Sequence, residues 1–110
     1  PVGLGAGSGF RSLTEFDATI YGTSHNTAEV SLPSGTLTVA ERSRLSDISL
    51  KQTQTKGVVR VIGHGSDPKA ARDKALAVAR ELERLGVAND QIFVGFEVGN
   101  GTTEVYLHYK

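Results

Sequence analysis

The stretch from residue 57 to residue 86, GVVRVIGHGSDPKAARDKALAVARELERLG, constrains the fold of this chain most strongly. It opens with an apolar run that is interrupted only by Arg60 and consists of Val58, Val59, Val61 and Ile62. A short run of β-branched residues between glycines is typical of a strand covered on both faces, and it is too short for a buried helix. The sequence therefore predicts a buried central strand here.

A helix is predicted directly after this strand. Asp67 precedes Pro68, and a residue before proline avoids the helical region, whereas proline is favoured in the first helical turn. Asp67 is therefore the predicted N-cap, and Gly86 is the predicted C-terminal glycine. The apolar residues between them share one helical stripe, which indicates a helix packed on a sheet: Ala71, Ala75, Val78, Leu82 and Leu85.

A second helix is predicted ahead of the central strand. Thr38 and Glu41 match the capping box, which predicts a helix over residues 39–53. Its apolar face, built on Leu45 and Ile48, is thin, and this suits a helix that lies on one face of a sheet rather than inside a core.

Two segments before that helix are strand-like, residues 18–21 and residues 28–32, and we favour the second as the strand that enters the sheet. Residues 22–27 between them have the composition of a turn. His25 lies in that turn and is expected to be exposed to solvent rather than to serve as a ligand.

The C-terminal part predicts two further strands. Residues 91–96 form the first, and the Gly-Asn-Gly turn at residues 99–101 leads us to expect a hairpin with the second. The order β-α-β-α-β-β predicts an α+β two-layer sandwich with two helices on one face of a small mixed sheet. The last strand alternates, with Thr103, Val105, Leu107 and Tyr109 on one face and Glu104, Tyr106 and His108 on a wet face.

Composition excludes several functions. The chain of 110 residues suffices for one domain, and its 12 basic and 12 acidic residues cancel, so a nucleic-acid partner is not indicated. The absence of cysteine excludes a disulfide framework, a thiolate metal site and a cysteine nucleophile. No apolar run approaches the roughly 20 residues that span a bilayer, and no cofactor is expected.

The N-terminus, PVGLGAGSG, is linker-like. It lacks both the G-x-G-x-x-G spacing and the lysine of a phosphate-binding loop. We therefore expect residues 1–16 to form a flexible glycine-rich segment and residues 17–110 to form the folded domain.

The turn after the central strand contains the three residue types of a hydrolytic triad: His64, Ser66 and Asp67. Triad partners normally come from separate segments, so a turn with Asp67 capping a helix is the better interpretation, and we expect no enzyme. Two ligands are too few for a metal site, and His25 and His108 have no evident reason to converge on it.

A binding site for a carboxylate or another anion is the alternative interpretation of the same turn. The helix start offers free backbone amides, although the charge of Asp67 would repel an anion. The candidate ligand-binding residues are His64, Gly65, Ser66, Asp67 and Lys74. Tyr106 and His108 either mark a partner surface or are ordinary exposed positions of a sheet.

Four segments of the chain together resemble the OmpA C-terminal-like family, which includes the peptidoglycan-associated lipoprotein Pal. They are LPSGTLTVAERSRLSDI, VVRVIGHGSD, DKALAVARELERLGVANDQIFV and EVYLHY, from residues 32–96 and 104–109. Gly63-His64 and the helix end at residues 75–87 match best, and the GHGS turn is similar to that of alphaproteobacterial envelope members. In this family an Asp after the strand and an Arg opening the helix hold the diaminopimelate of the peptidoglycan stem peptide.

The sequence departs from the family at these binding positions. The Thr-Asp of the family falls on Gly65-Ser66, with Asp67 one place later, and its paired arginines fall on Asp73 and Lys74. A later arginine pair is replaced by residues 102–103, Thr-Thr. Lysine keeps the charge but loses the two-pronged geometry that recognises a carboxylate.

The resemblance implies a non-catalytic envelope module in the periplasm. It also implies attachment to the outer membrane through a parent protein or lipid anchor outside this chain. The degraded motif leads us to expect weak binding of the peptidoglycan stem peptide. The alternative is a protein-interaction or scaffold domain of a secretion or pilus-type envelope assembly, with other envelope proteins as partners and no binding of peptidoglycan.

Overall fold

The computed structural model describes residues 2–3, 9–33 and 35–110. In this part of the chain six strands form one mixed sheet in the order β1-β5-β4-β6-β3, and β2 also pairs with β5. The strands are β1 (Val2–Gly3), β2 (Arg11–Ser12), β3 (Thr23–Val30), β4 (Val58–Gly65), β5 (Ile92–Val98) and β6 (Thr103–Tyr109). The helices are α1 (Ala18–Tyr21), α2 (Val39–Thr55) and α3 (Pro68–Arg84), and 3₁₀ turns form at Leu13–Glu15 and Asn89–Gln91.

Strand β4 is the central strand, as predicted. It pairs in parallel with β5 and antiparallel with β6, and six of its eight residues are buried. The long helices α2 and α3 share the main core with the inward residues of the sheet, among them Leu45, Val61, Leu82 and Val105. The predicted two-layer α+β architecture is confirmed, and the order β3-α2-β4-α3-β5-β6 is the predicted one.

Helix α3 matches its prediction at both ends. The Asp67 carboxylate accepts a hydrogen bond from the Ala70 backbone N–H at 2.8 Å, and Pro68 occupies the first turn. Gly86 has φ 110°, and the Val87 N–H reaches the Leu82 carbonyl at 3.1 Å, as in a Schellman cap. The helix packs so tightly on β4 that a Cβ on Gly63 would lie 2.2 Å from the Ala71 carbonyl oxygen.

Two polar side chains anchor helix α2, whose apolar face is as thin as predicted. Buried Glu41 closes the capping box with Thr38 and also accepts hydrogen bonds from the Ser31 backbone N–H at 2.6 Å and the Ser31 hydroxyl at 3.0 Å. Buried Gln52 donates to the Gly57 carbonyl at 2.9 Å. Burial raises the pKa of Glu41, but the amides of Thr38 and Ser31 outweigh it, so the pKa lies below its usual value.

The predicted hairpin of the last two strands is wrong. Strands β5 and β6 do not pair, because β4 lies between them. The loop between β5 and β6 crosses the end of β4 instead, and the Gly99 N–H donates to the Gly65 carbonyl at 2.8 Å. The Gly-Asn-Gly turn was correctly located, but a turn signal does not determine which strands pair.

The region before α2 also differs from its prediction. Residues 18–21 form helix α1 rather than a strand, because the Asp17 side chain caps the Thr19 N–H at 2.9 Å. Residues 23–27 belong to β3 and are not a turn, and His25 sits where the register of β3 with β6 shifts. Its exposure is as expected, but its ring stacks on Tyr109 at 3.8 Å and bonds the Tyr109 carbonyl at 2.8 Å.

A segment that we call the strap, residues 9–22, covers part of the sheet face opposite α2 and α3. The Phe16 ring lies 5.7 Å from the Phe93 ring and 4.5 Å from the His108 ring. The predicted wet face of β6 is therefore wrong at His108, which is 4% exposed. The predicted boundary at residue 16 stays a prediction, but Arg11–Ser12 pairs with β5, while residues 1 and 4–8 lie outside the described residues.

Candidate functional site

The structure separates the residues predicted to form one binding turn. His64 and Gly65 are the last residues of β4, not part of a turn, and they point to opposite faces of the sheet. Gly65 is buried under α3, where an added Cβ would lie 2.5 Å from the Ala71 nitrogen. Ser66 and Asp67 form the exposed connection to the helix. Lys74 lies farther along α3 and is half-buried.

His64 is held by a carboxylate from the neighbouring strand. Its Nε2 lies 2.6 Å from Oε2 of Glu104, which places the imidazole on the sheet face opposite the helices. The hydroxyl of Tyr106 donates to the other oxygen of the same carboxylate. The hydrogen bond from Tyr106 lowers the pKa of Glu104 most, and the one with His64 lowers it further. The carboxylate in turn raises the pKa of Tyr106.

Arg60 continues this network towards the other end of the sheet. Its guanidinium carbon lies 4.4 Å from the centre of the Tyr106 ring and 5.2 Å from that of Phe16. Its Nε donates to Nε2 of His108 at 3.2 Å. The sheet face opposite α2 and α3 therefore carries a continuous polar and aromatic network of His64, Glu104, Tyr106, Arg60 and His108.

Part of this network could be predicted from the sequence. The alternation of β6 places Glu104, Tyr106 and His108 on one face, as predicted. Nothing in the sequence linked them to His64 and Arg60, because the β4–β6 pairing joins residues more than 40 positions apart.

A shallow groove of about 780 Å³ runs along β3 beside this network. The carboxylates of Glu41 and Glu104 face it, and both oxygens of each already take part in hydrogen bonds within the protein. Arg44 from α2 donates to the Glu29 carbonyl at 3.2 Å and so covers part of the free edge of β3. A charged side chain on an edge strand hinders its pairing with another chain.

The candidate hydrolytic triad is not assembled in the part of the chain that the structure describes. Ser66 is exposed and makes no hydrogen bond to His64. No group of three or more His, Asp or Glu side chains could hold a metal ion among the described residues. No described helix is long and apolar enough to cross a membrane.

Asp67 provides a direct test of the capping interpretation. We expect Asp67→Ala to lower the free energy of unfolding by about 1 kcal/mol, because the Ala70 N–H loses its partner. Asp67→Asn should cost much less, since asparagine caps equally well. Denaturant unfolding of both variants measures the difference, and equal losses would show that the cap is not what Asp67 contributes.

Comparison with known proteins identifies the architecture. No family model and no curated protein matches this sequence. Among solved structures the chain is similar to the OmpA-like domain of FopA1 from Francisella tularensis subsp. tularensis SCHU S4, with a TM-score of 0.64. The match covers 99% of this chain and 95% of that chain, at 13% sequence identity. The chain therefore adopts the OmpA-like fold.

Proposed function

We propose that this domain is a non-catalytic module of the bacterial cell envelope that works in the periplasm and binds peptidoglycan weakly or not at all. The OmpA-like fold supports the envelope assignment. The second part rests on one observation: Asp67, which stands one place later than the acid of the family motif, is fixed as the N-cap of α3 by a hydrogen bond from the Ala70 N–H at 2.8 Å.

Lys74, the candidate cation for the carboxylate of diaminopimelate, is also poorly suited to binding. Lys74 is half-buried on α3 next to fully buried Ala75. A lysine ammonium is a point charge and cannot form the parallel pair of hydrogen bonds that arginine makes with a carboxylate. Nε2 of His64 is engaged by Glu104, on the sheet face opposite α3.

The absence of catalysis is part of the proposal. A hydrolytic site needs a nucleophile in contact with a base, and exposed Ser66 has no such contact. We propose another envelope protein as the main partner, with outer-membrane association through a parent protein or lipid anchor.

A pull-down with purified peptidoglycan sacculi tests the proposal. Each lost charge-assisted contact typically costs on the order of 1.5–3 kcal/mol, or ten- to a hundred-fold in affinity. Retention should therefore stay near background, well below that of a Pal domain measured as the positive control.

Two variants make the result specific. Lys74→Ala removes the candidate cation, and Lys51→Ala removes an exposed lysine of α2 as the matched control. Retention equal to that of Pal, lost in Lys74→Ala and kept in Lys51→Ala, would contradict the proposal and establish ordinary peptidoglycan binding.

A further inference from the structure

His108 joins the strap to the sheet. It is 4% exposed, and its Nδ1 lies 3.0 Å from the Gly22 carbonyl at the end of the strap. Its Nε2 accepts the hydrogen bond from Nε of Arg60. A carbonyl only accepts and a guanidinium only donates, so both bonds require the neutral imidazole with its proton on Nδ1.

The strap is less buried than the layer beneath it. None of residues 9–22 is fully buried, whereas His108 and Phe93 beneath it are. His108 and Arg60 belong to adjacent paired strands in the middle of the sheet. A segment with few buried side chains opens at a lower free-energy cost than the core does.

We propose that His108 is a pH-sensitive latch, whose protonation releases the strap while the sheet and the two long helices stay folded. Protonation places a second N–H on Nε2, directed at the N–H of Arg60. It also buries a positive charge beside the guanidinium, which is costly without water. Opening of the strap admits water to the imidazolium and relieves both penalties.

The charges around His108 support this direction. Burial lowers the pKa of His108 most, and the charges of Arg60 on β4 and His25 on β3 lower it further. The hydrogen bond to the Gly22 carbonyl raises it but does not outweigh them, so the pKa lies below its ordinary value of 6.5. Glu104 and Tyr106 lie on the same face of the same strand, and the centre of the Tyr106 ring is 6.4 Å from that of His108. The two strap carboxylates, Glu15 and Asp17, accept hydrogen bonds from the Ser12 and Thr19 N–H groups, and neither is among the charges that shift the pKa of His108.

The pKa shift gives the sign of the pH dependence. His108 binds its proton more weakly in the latched state than in the open state. The latch is therefore at full strength above pH 6.5 and weakens as pH falls from there towards the lowered pKa. In that window the opening equilibrium should rise by up to about tenfold per pH unit, the limit for one proton.

Amide hydrogen exchange of the full chain between about pH 7.5 and about pH 5, corrected for intrinsic rates, tests the latch. The amides of the strap should open more as pH falls, and those of α3 should not. Exchange that is independent of pH in the strap, or that rises equally in α3, would overturn the proposal.

Three variants assign the effect to His108. His108→Gln removes the titration and should flatten the pH dependence, and Arg60→Gln should reduce it by removing the opposing charge. His64→Gln, on the same face at the other end of the network, should keep it. If His108→Gln does not fold, the Arg60 variant and the imidazole ¹⁵N spectrum of the wild type decide. A proton on Nε2 at neutral pH, or an undiminished response in Arg60→Gln, would contradict the latch.

Discussion

Leu82→Ala is expected to lower the free energy of unfolding by roughly 2–5 kcal/mol. Leu82 is 0% exposed and lies in the main core, at the C-terminal end of the buried stripe of α3. Truncation removes buried methyl groups and leaves a cavity that the rigid sheet beneath cannot fill. Since domains of this size have a total stability of about 5–15 kcal/mol, the thermal midpoint should fall by many degrees.

Leu50→Ala is the matched control, because Leu50 is the same residue type on the other long helix and is 61% exposed. We expect it to change stability by no more than about 0.5 kcal/mol. A thermal midpoint that Leu82→Ala leaves unchanged would show that α3 does not pack on β4 as described.

Gly63→Ala should also be severe, at roughly 3 kcal/mol, because it separates α3 from the central strand. The added Cβ would lie 2.2 Å from the Ala71 carbonyl oxygen and 2.8 Å from the Ala75 Cβ. Neither contact is with a flexible side chain, so the helix backbone itself must move. Denaturant unfolding of the variant measures the loss.

Gly35→Ala is the control for Gly63→Ala. It adds the same methyl group at a position where that group meets no other atom. Gly35 has φ 76° and nothing within 4 Å of a built Cβ, so its replacement carries only the backbone cost, on the order of 1 kcal/mol. A loss in Gly63→Ala that does not exceed the loss in Gly35→Ala would contradict the close packing of α3 on β4.

Local signals explain what the sequence predicted well. The Asp67 cap, Pro68, the apolar stripe and Gly86 all lie within one helix and its flanks, so each boundary of α3 could be predicted without knowing the rest of the fold. The capping box of Thr38 and Glu41 located α2 in the same way.

Non-local contacts explain what it missed. The position of β4 between β5 and β6 depends on competition among strands for partners, which no turn motif specifies. The strap has no apolar periodicity, and its place on the sheet is fixed by the short pairing of β2 with β5 and by single rings such as Phe16. His64 was among the candidate site residues, but its partner Glu104 lies 40 positions away and was not linked to it.

The predicted alternation of β6 was right, while the inference that one face is wet failed at His108. Alternation fixes which side chains share a face, but it does not show what covers that face. A segment outside the periodic part of the chain supplies the cover here, through Phe16 and Gly22.

The most direct test of the central claim is a titration of the domain with a stem peptide that contains diaminopimelate, followed by backbone amide chemical shifts of residues 64–74. Because Asp67 is bonded to the Ala70 N–H and Lys74 is half-buried, we predict no saturable shift up to about millimolar peptide. Saturable shifts centred on Asp67 and Lys74 at micromolar peptide, abolished by Lys74→Ala, would contradict the account.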